Sequence, residues 1–160
     1  MEKIDLRRFE AQDRDWLVAA HADHYAREEG FDATFGMLVA EILDGFLAEH
    51  DPARERGWIA WRGERRLGSI FCVALSPEVA KLRLFLLMPE ARGQGLGRRL
   101  LETCMGFARE RGYREMQLWT HESHRAAGAL YARAGWDLVE GAPVTSFGKP
   151  NVEQTWRITL

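Results

Sequence analysis

The stretch that most restricts how this chain can fold runs from Pro89 to Leu101, PEARGQGLGRRLL, where glycines at 93, 95 and 97 stand directly before an apolar helical pattern. Glycine gives up more conformational freedom on folding than any other residue, so a cluster of them at a helix start marks a sharp turn or a close approach. The first N–H groups of a helix lack intrahelical acceptors, and the helix dipole adds partial positive charge beside them. Glycines keep side chains away from those donors, and Arg92, Arg98 and Arg99 surround them with cationic charge. The combination predicts an anion site of the kind that receives phosphate. A P-loop would need Gly-Lys-Ser/Thr at its end, whereas Arg98 and Arg99 follow Gly97. A dinucleotide fingerprint fails as well, because its third glycine falls on Arg98, which removes the case for a nicotinamide-dependent oxidoreductase.

The segments around the loop alternate between two periods. Ile4–Phe9 reads as a strand, and the stretch holding Trp16, Leu17, Ala20 and His24 as a helix. Phe35, Leu38, Val39, Ile42, Leu43 and Phe46 repeat at helical spacing over about Ala33 to Ala48, ahead of Pro52. GWIAW and RLGSIFCVAL flank the turn-like Arg62-Gly63-Glu64-Arg65 as a hairpin, and VAKLRLFLLM leads as a strand into the glycine loop. The helix after the loop places Leu96, Leu100, Leu101, Cys104, Phe107 and Ala108 on one face and ends at Gly112. MQLWT is a strand, Arg125 to Ala134 a short helix stopped by Gly135, and WDLVE and QTWRITL are strands. Without a repeat or linker in 160 residues, this order predicts one α/β domain over residues 1–160.

Composition narrows the function classes. A formal charge of −2 lacks the basic excess that nucleic acid binding requires. The apolar run LRLFLLM is broken by Arg83 and is far shorter than the ~20 residues of a membrane span, and MEKIDLRRFE has no secretory apolar stretch, so a cytoplasmic protein without membrane contact is expected. Cys72 and Cys104 sit in apolar patterns and read as buried thiols. His121 and His124 in HESH fall short of a zinc pattern, so no metal is expected. Trp119 and Trp136 read as core.

With these letters in place, the loop resembles the acyl-CoA-binding motif of the GNAT superfamily of N-acyltransferases, Arg/Gln-x-x-Gly-x-Gly/Ala, met by Arg92, Gly95 and Gly97. That family's second signature is similar to Ala127, Leu130, Tyr131, Gly135 and Trp136 in AAGALYARAGW. HYAREEGFD, DPARERGWIA and SFGKPNVEQTWRITL further resemble the acetyltransferase half of MarR-type regulator/acetyltransferase fusions, without a winged-helix half that would suggest DNA binding. The resemblance implies a GNAT fold, a mixed and mostly antiparallel sheet of about seven strands with helices on both faces. It implies an N-acetyltransferase using acetyl-CoA as co-substrate and passing the acetyl group to a primary amine in a ternary complex. The acceptor would be a small molecule or peptide, and a homodimer through the C-terminal strands is possible for such a fold. A non-catalytic acyl-CoA sensor or partner-binding module is the alternative.

Site residues follow from the resemblance position by position. Arg92, Gly93, Gln94, Gly95, Leu96, Gly97 and Arg98 would cradle the pyrophosphate, and main-chain amides of Leu86 and Leu87 would receive the pantetheine arm and thioester. His124, standing where the family usually has asparagine, would also contact the cofactor. Tyr131 would protonate the leaving thiolate, since a phenol with pKa ~10 stays protonated at neutral pH. Many relatives carry a glutamate base on the strand before the glycine loop, where this chain has Lys81, Arg83 and apolar residues. His21, His24, Glu28 and Glu29 are then the candidates for a base, with deprotonation through ordered water as the alternative, and His21, His24, Tyr25 and Glu28 would build the acceptor pocket, where His21 and Tyr25 are spaced to share a helix face.

Overall fold

A computed structural model describes residues 3–160, which form β1 (Ile4–Arg8), α1 (Arg14–Glu29), α2 (Ala33–Glu49), β2 (Arg56–Arg62), β3 (Arg65–Ala74), β4 (Val79–Leu87), α3 (Leu96–Glu110), β5 (Glu115–His121), α4 (Arg125–Arg133), β6 (Asp137–Ser146) and β7 (Lys149–Thr159). The seven strands make one sheet in the order β1-β2-β3-β4-β5-β7-β6, antiparallel throughout except between β4 and β5. β3 explains why its letters read as an unbroken apolar run. Leu67–Val73 are all buried, because Ile70 and Cys72 pack toward α3 while Phe71 and Val73 pack toward α2. A strand covered on both faces loses the polar alternation of a half-solvated one.

Two cores result. The face carrying α3 and α4 buries Leu96, Leu100, Leu101, Cys104 and Met105 against Ile70, Leu82 and Met116. Each such side chain contributes about 1.5–3 kcal/mol relative to exposure. The opposite face packs Leu17, Val39, Leu43 and Phe46 onto Ile59, Phe71 and Leu86. Cys72 and Cys104 are buried free thiols. No helix among the described residues is long and apolar enough to cross a membrane.

The C-terminal hairpin is longer than its letters suggest. WDLVE and QTWRITL are the inner ends of strands of 10 and 11 residues joined at Phe147-Gly148, whose φ values of 53° and 82° belong to a hairpin turn of left-handed residues. β6 lies at the sheet edge, mostly exposed, and therefore tolerates Gly141 and Pro143, which hide it from a pattern search.

β4 holds an irregularity that no letter announces. Leu84 has a φ of 52°, and the register jumps from Ser69 opposite Leu86 to Phe71 opposite Arg83. The Ser69 hydroxyl donates to the Leu84 carbonyl at 2.6 Å and fixes this bulge. Consequently Ala80 and Leu82 face α3 and α4, Leu84 and Leu86 face α1 and α2, and Phe85 and Leu87 return to the first face. A bulge bends its strand and re-aims its side chains, and this one lies where β4 leaves its neighbour.

Candidate active site

β4 and β5 pair only from Val79–Lys81 to Glu115–Gln117. Beyond those residues β4 stays with β3 and β5 stays with β7, so the two halves of the sheet separate and leave an open main-chain edge on each side. Met88 N–H donates to Leu67 O at 2.9 Å, and alternation back along the strand turns Leu86 N–H toward β3 but Phe85 and Leu87 N–H into the gap. The expected pair of free amides is thus corrected by one position: Leu87 keeps its place, and Phe85 replaces Leu86.

The glycine loop lies at the mouth of this gap. Gly93 and Gly95 have φ of 74° and 78°, values that side chains with a Cβ rarely adopt, and Gly95 is the N-cap of α3. The first intrahelical bond runs from Arg99 N to Gly95 O at 3.1 Å, which leaves Leu96, Gly97 and Arg98 N–H without helical acceptors. Gly97 is required for space, because a Cβ there would stand 2.9 Å from Leu87 Cδ1 and 3.4 Å from Leu130 Cδ2. The flanking side chains point elsewhere. Arg92 pairs with Glu28 at 2.7 Å, Arg98 with Glu102 at 2.8 Å, Arg99 donates to Ile4 O at 2.6 Å, and Gln94 accepts from Arg62 at 2.5 Å. The cradle is therefore built of main chain, with Arg92 and Arg98 on its walls. A groove of about 1010 Å³ runs from it between α3 and α4, past Leu101, Met105, Ala126 and Arg133.

Two smaller cavities continue from the groove. One of about 190 Å³ shares Leu87, Arg92, Ala126 and Leu130 with the groove and adds His24, Glu28 and His124. The other, about 200 Å³, lies across the gap and shares Phe85 and His124 with the first. Its lining includes Tyr131, His21, Tyr25, Glu29 and Arg83, and its aromatic walls include Trp119 and Phe147. The residues expected to form an acceptor pocket are thus divided. His21 and Tyr25 reach the inner chamber, with ring centroids 6.1 Å apart and nearly parallel, whereas His24 and Glu28 face the cavity nearer the groove. Trp136 is core, but Trp119 is 38% exposed at the chamber, with Lys81 Nζ 4.4 Å over its ring; that half of the core expectation is corrected. Phe85, Arg83 and Phe147 went unread because the bulge and the hairpin turn that place them have no sequence signature.

The model of the acetyltransferase (GNAT) family matches residues 15–136. The chain belongs to this family. A mycothiol acetyltransferase of Salinispora arenicola is 34% identical over 145 residues, covering 84% of this chain and 45% of that protein, so the chain spans under half its relative's length. An acetyltransferase from Streptococcus agalactiae has the same fold, with a TM-score of 0.82 over 100% of both chains at 19% identity. Spermidine N-acetyltransferase from Vibrio cholerae, solved with CoA and spermine, gives a TM-score of 0.72 over 98% of this chain and 95% of that one at 17% identity.

Burial sets the protonation states of this GNAT site. It pushes Tyr131, which packs among Phe85, Trp136 and Trp156, well above the ordinary phenol range, and does the same to Tyr25. Desolvation lowers His24, His121 and His124, which favours neutral imidazoles. His21 donates from Nδ1 to Leu17 O at 2.9 Å, its Nε2 is sealed without a partner, and burial brings its pKa down to about 4. The folded state then binds this proton more weakly than the unfolded chain, where an imidazole titrates near ~6.5. Stability is complete above ~6.5 and declines as pH falls through that value toward the folded pKa, by about 3 kcal/mol for this group. Urea melts of the wild type and His21→Phe across this window are expected to show a shallower acid loss in the variant.

Proposed function

We propose that this GNAT enzyme transfers an acetyl group from acetyl-CoA to a primary amine by direct attack in a ternary complex. The observation that carries the reading is the series of three cavities, the middle one sharing Leu87, Arg92, Ala126 and Leu130 with the groove and Phe85 and His124 with the inner chamber, with the α3 amides at one end and Tyr131 at the other. The donor's diphosphate would rest on the main chain of Gly93–Arg98. Its pantetheine arm would lie along Phe85 and Leu87, whose N–H groups would also polarise the thioester carbonyl. The amine would enter from the chamber side, and Tyr131 would give its proton to the departing sulfur.

The chamber also restricts the acceptor. Glu29 supplies a carboxylate and Arg83 a guanidinium, while Phe31, Phe35, Phe147 and Trp119 supply apolar wall. A compact amine with an apolar body fits this lining better than an extended polycation, which would call for several carboxylates. Calorimetry with acetyl-CoA followed by thiol-release assays over a panel of amines tests the reading, with heat of binding and amine-dependent thiol release both expected. Binding without release from any amine would indicate a sensor, the reading that the absence of a carboxylate from Leu82–Leu87 favours. No heat would remove the donor itself.

A further inference from the structure

Resting on that transferase reading, we propose that His124 is the general base that takes the proton from the acceptor amine, the role many relatives give to a glutamate on β4. Among the described residues only Phe85 and His124 line both the cavity near the groove and the inner chamber, so His124 is the one proton-accepting side chain there at the junction where thioester and amine must meet. Its place is fixed by the fold. It is the N-cap residue of α4, its N–H donates to His121 O at 2.9 Å, and its ring stands edge-on to Tyr25 with centroids 5.5 Å apart. Nδ1 lies 3.4 Å from the Tyr25 hydroxyl. A proton on Nδ1, directed at Tyr25, leaves the Nε2 lone pair for the amine.

The neighbouring imidazoles are less suited. His21 and His121 have Nε2 sealed from solvent without a partner, and His124 Nε2 is not sealed in this way. His24 sits on the groove side, 3.4 Å from Glu28 and 3.5 Å from Arg92. Glu29 lines the chamber but not the junction, which suits it to holding the incoming ammonium. The charged and titratable groups facing His124 are Tyr25, His24, Glu28 and Glu29 from α1 and Arg92 from the loop, with His21 on α1, Arg83 on β4, His121 on β5 and Tyr131 on α4 lining the same chamber. Burial is the largest influence on His124 and lowers its pKa, which favours the neutral imidazole.

The protons balance as follows. The ammonium gives one proton to His124 Nε2, and the freed lone pair forms the C–N bond as the C–S bond breaks. The sulfur takes a proton from Tyr131, the second proton on the new amide nitrogen returns to the Tyr131 oxygen, and the imidazolium releases its proton to solvent.

The test compares wild type, His124→Asn, His124→Gln and Glu29→Gln by calorimetry with acetyl-CoA and by pH profiles of kcat/KM with an amine that the wild type acetylates. Wild type should show an acid limb below the ordinary imidazole value of ~6.5. Both His124 variants should still bind acetyl-CoA, lose kcat by about a hundredfold near neutrality, and recover as pH rises toward the amine's own pKa. Added imidazole should restore part of the activity of His124→Asn, which a purely structural role would not allow. Glu29→Gln should raise KM and keep the acid limb. An unchanged acid limb in His124→Asn, or its loss in Glu29→Gln alone, would overturn the role while leaving the transferase reading intact. A wild type that binds acetyl-CoA yet releases thiol with no amine would overturn both.

Discussion

Tyr131→Phe is expected to lower kcat by about 10²–10³-fold while leaving acetyl-CoA affinity within about twofold. The substitution removes one oxygen from a ring held by Phe85, Trp136 and Trp156, so the packing that positions α4 against the sheet survives. On the proposed mechanism, removing the hydroxyl takes away the proton given to the leaving sulfur. Burial also raises the Tyr131 pKa, so the phenol holds its proton through the alkaline range in which an exposed tyrosine near ~10 would begin to lose it. The wild-type rate should therefore show no alkaline fall from this group below that value. Stopped-time thiol release for both proteins across the pH range, with calorimetry as the binding control, measures the separation; equal kcat values would remove Tyr131 from the chemistry.

Gly95→Val should weaken acetyl-CoA binding by at least about a hundredfold. The position has a φ of 78°, and a β-branched residue there costs about 1–3 kcal/mol of backbone strain or shifts the turn. Either outcome disturbs the start of α3, where Leu96, Gly97 and Arg98 N–H have no helical acceptor, and on the proposed reading the displaced donors would lose charge-assisted bonds to the diphosphate, about twice as strong as neutral ones. The open space around a Cβ at Gly95 means that the effect comes from the dihedral angle and not from a clash with protein. Gly106→Ala, lower on the same helix and also without a neighbour within 4 Å of its Cβ, should leave affinity unchanged. Comparable losses in both variants would point to a general weakening of α3.

How much could be read from the letters depended on what each element does. α2 was legible to within a residue because its apolar positions repeat at helical spacing and Asp32 accepts from Thr34 N–H at its start. The succession of elements along the chain and the glycine loop were legible because turn chemistry and orphan helix donors leave marks in sequence, whereas the order of the strands within the sheet was not. The gap between β4 and β5 was not, since it depends on a left-handed Leu84 held by a hydroxyl 15 residues earlier in the chain. That one twist decides which amides face the gap, and it moved the expectation from Leu86 to Phe85. The arginines of the loop illustrate a different limit: their charge was visible, but Glu28 and Glu102 claim Arg92 and Arg98 through contacts that only the folded chain creates. Glu29 and His124 became distinguishable only when the cavities showed which of them reaches both sides.

The short seam from Val79 to Lys81 has a consequence for recognition itself. A flexible donor laid beside Phe85 and Leu87 would complete the sheet as a surrogate strand, bonded main chain to amide in the manner of a β-ladder. Recognition of that kind is blind to the identity of the side chains behind it. The side chains of Phe85 and Leu87 could then drift during evolution as long as their backbone stayed extended and their bulk still packed against the core.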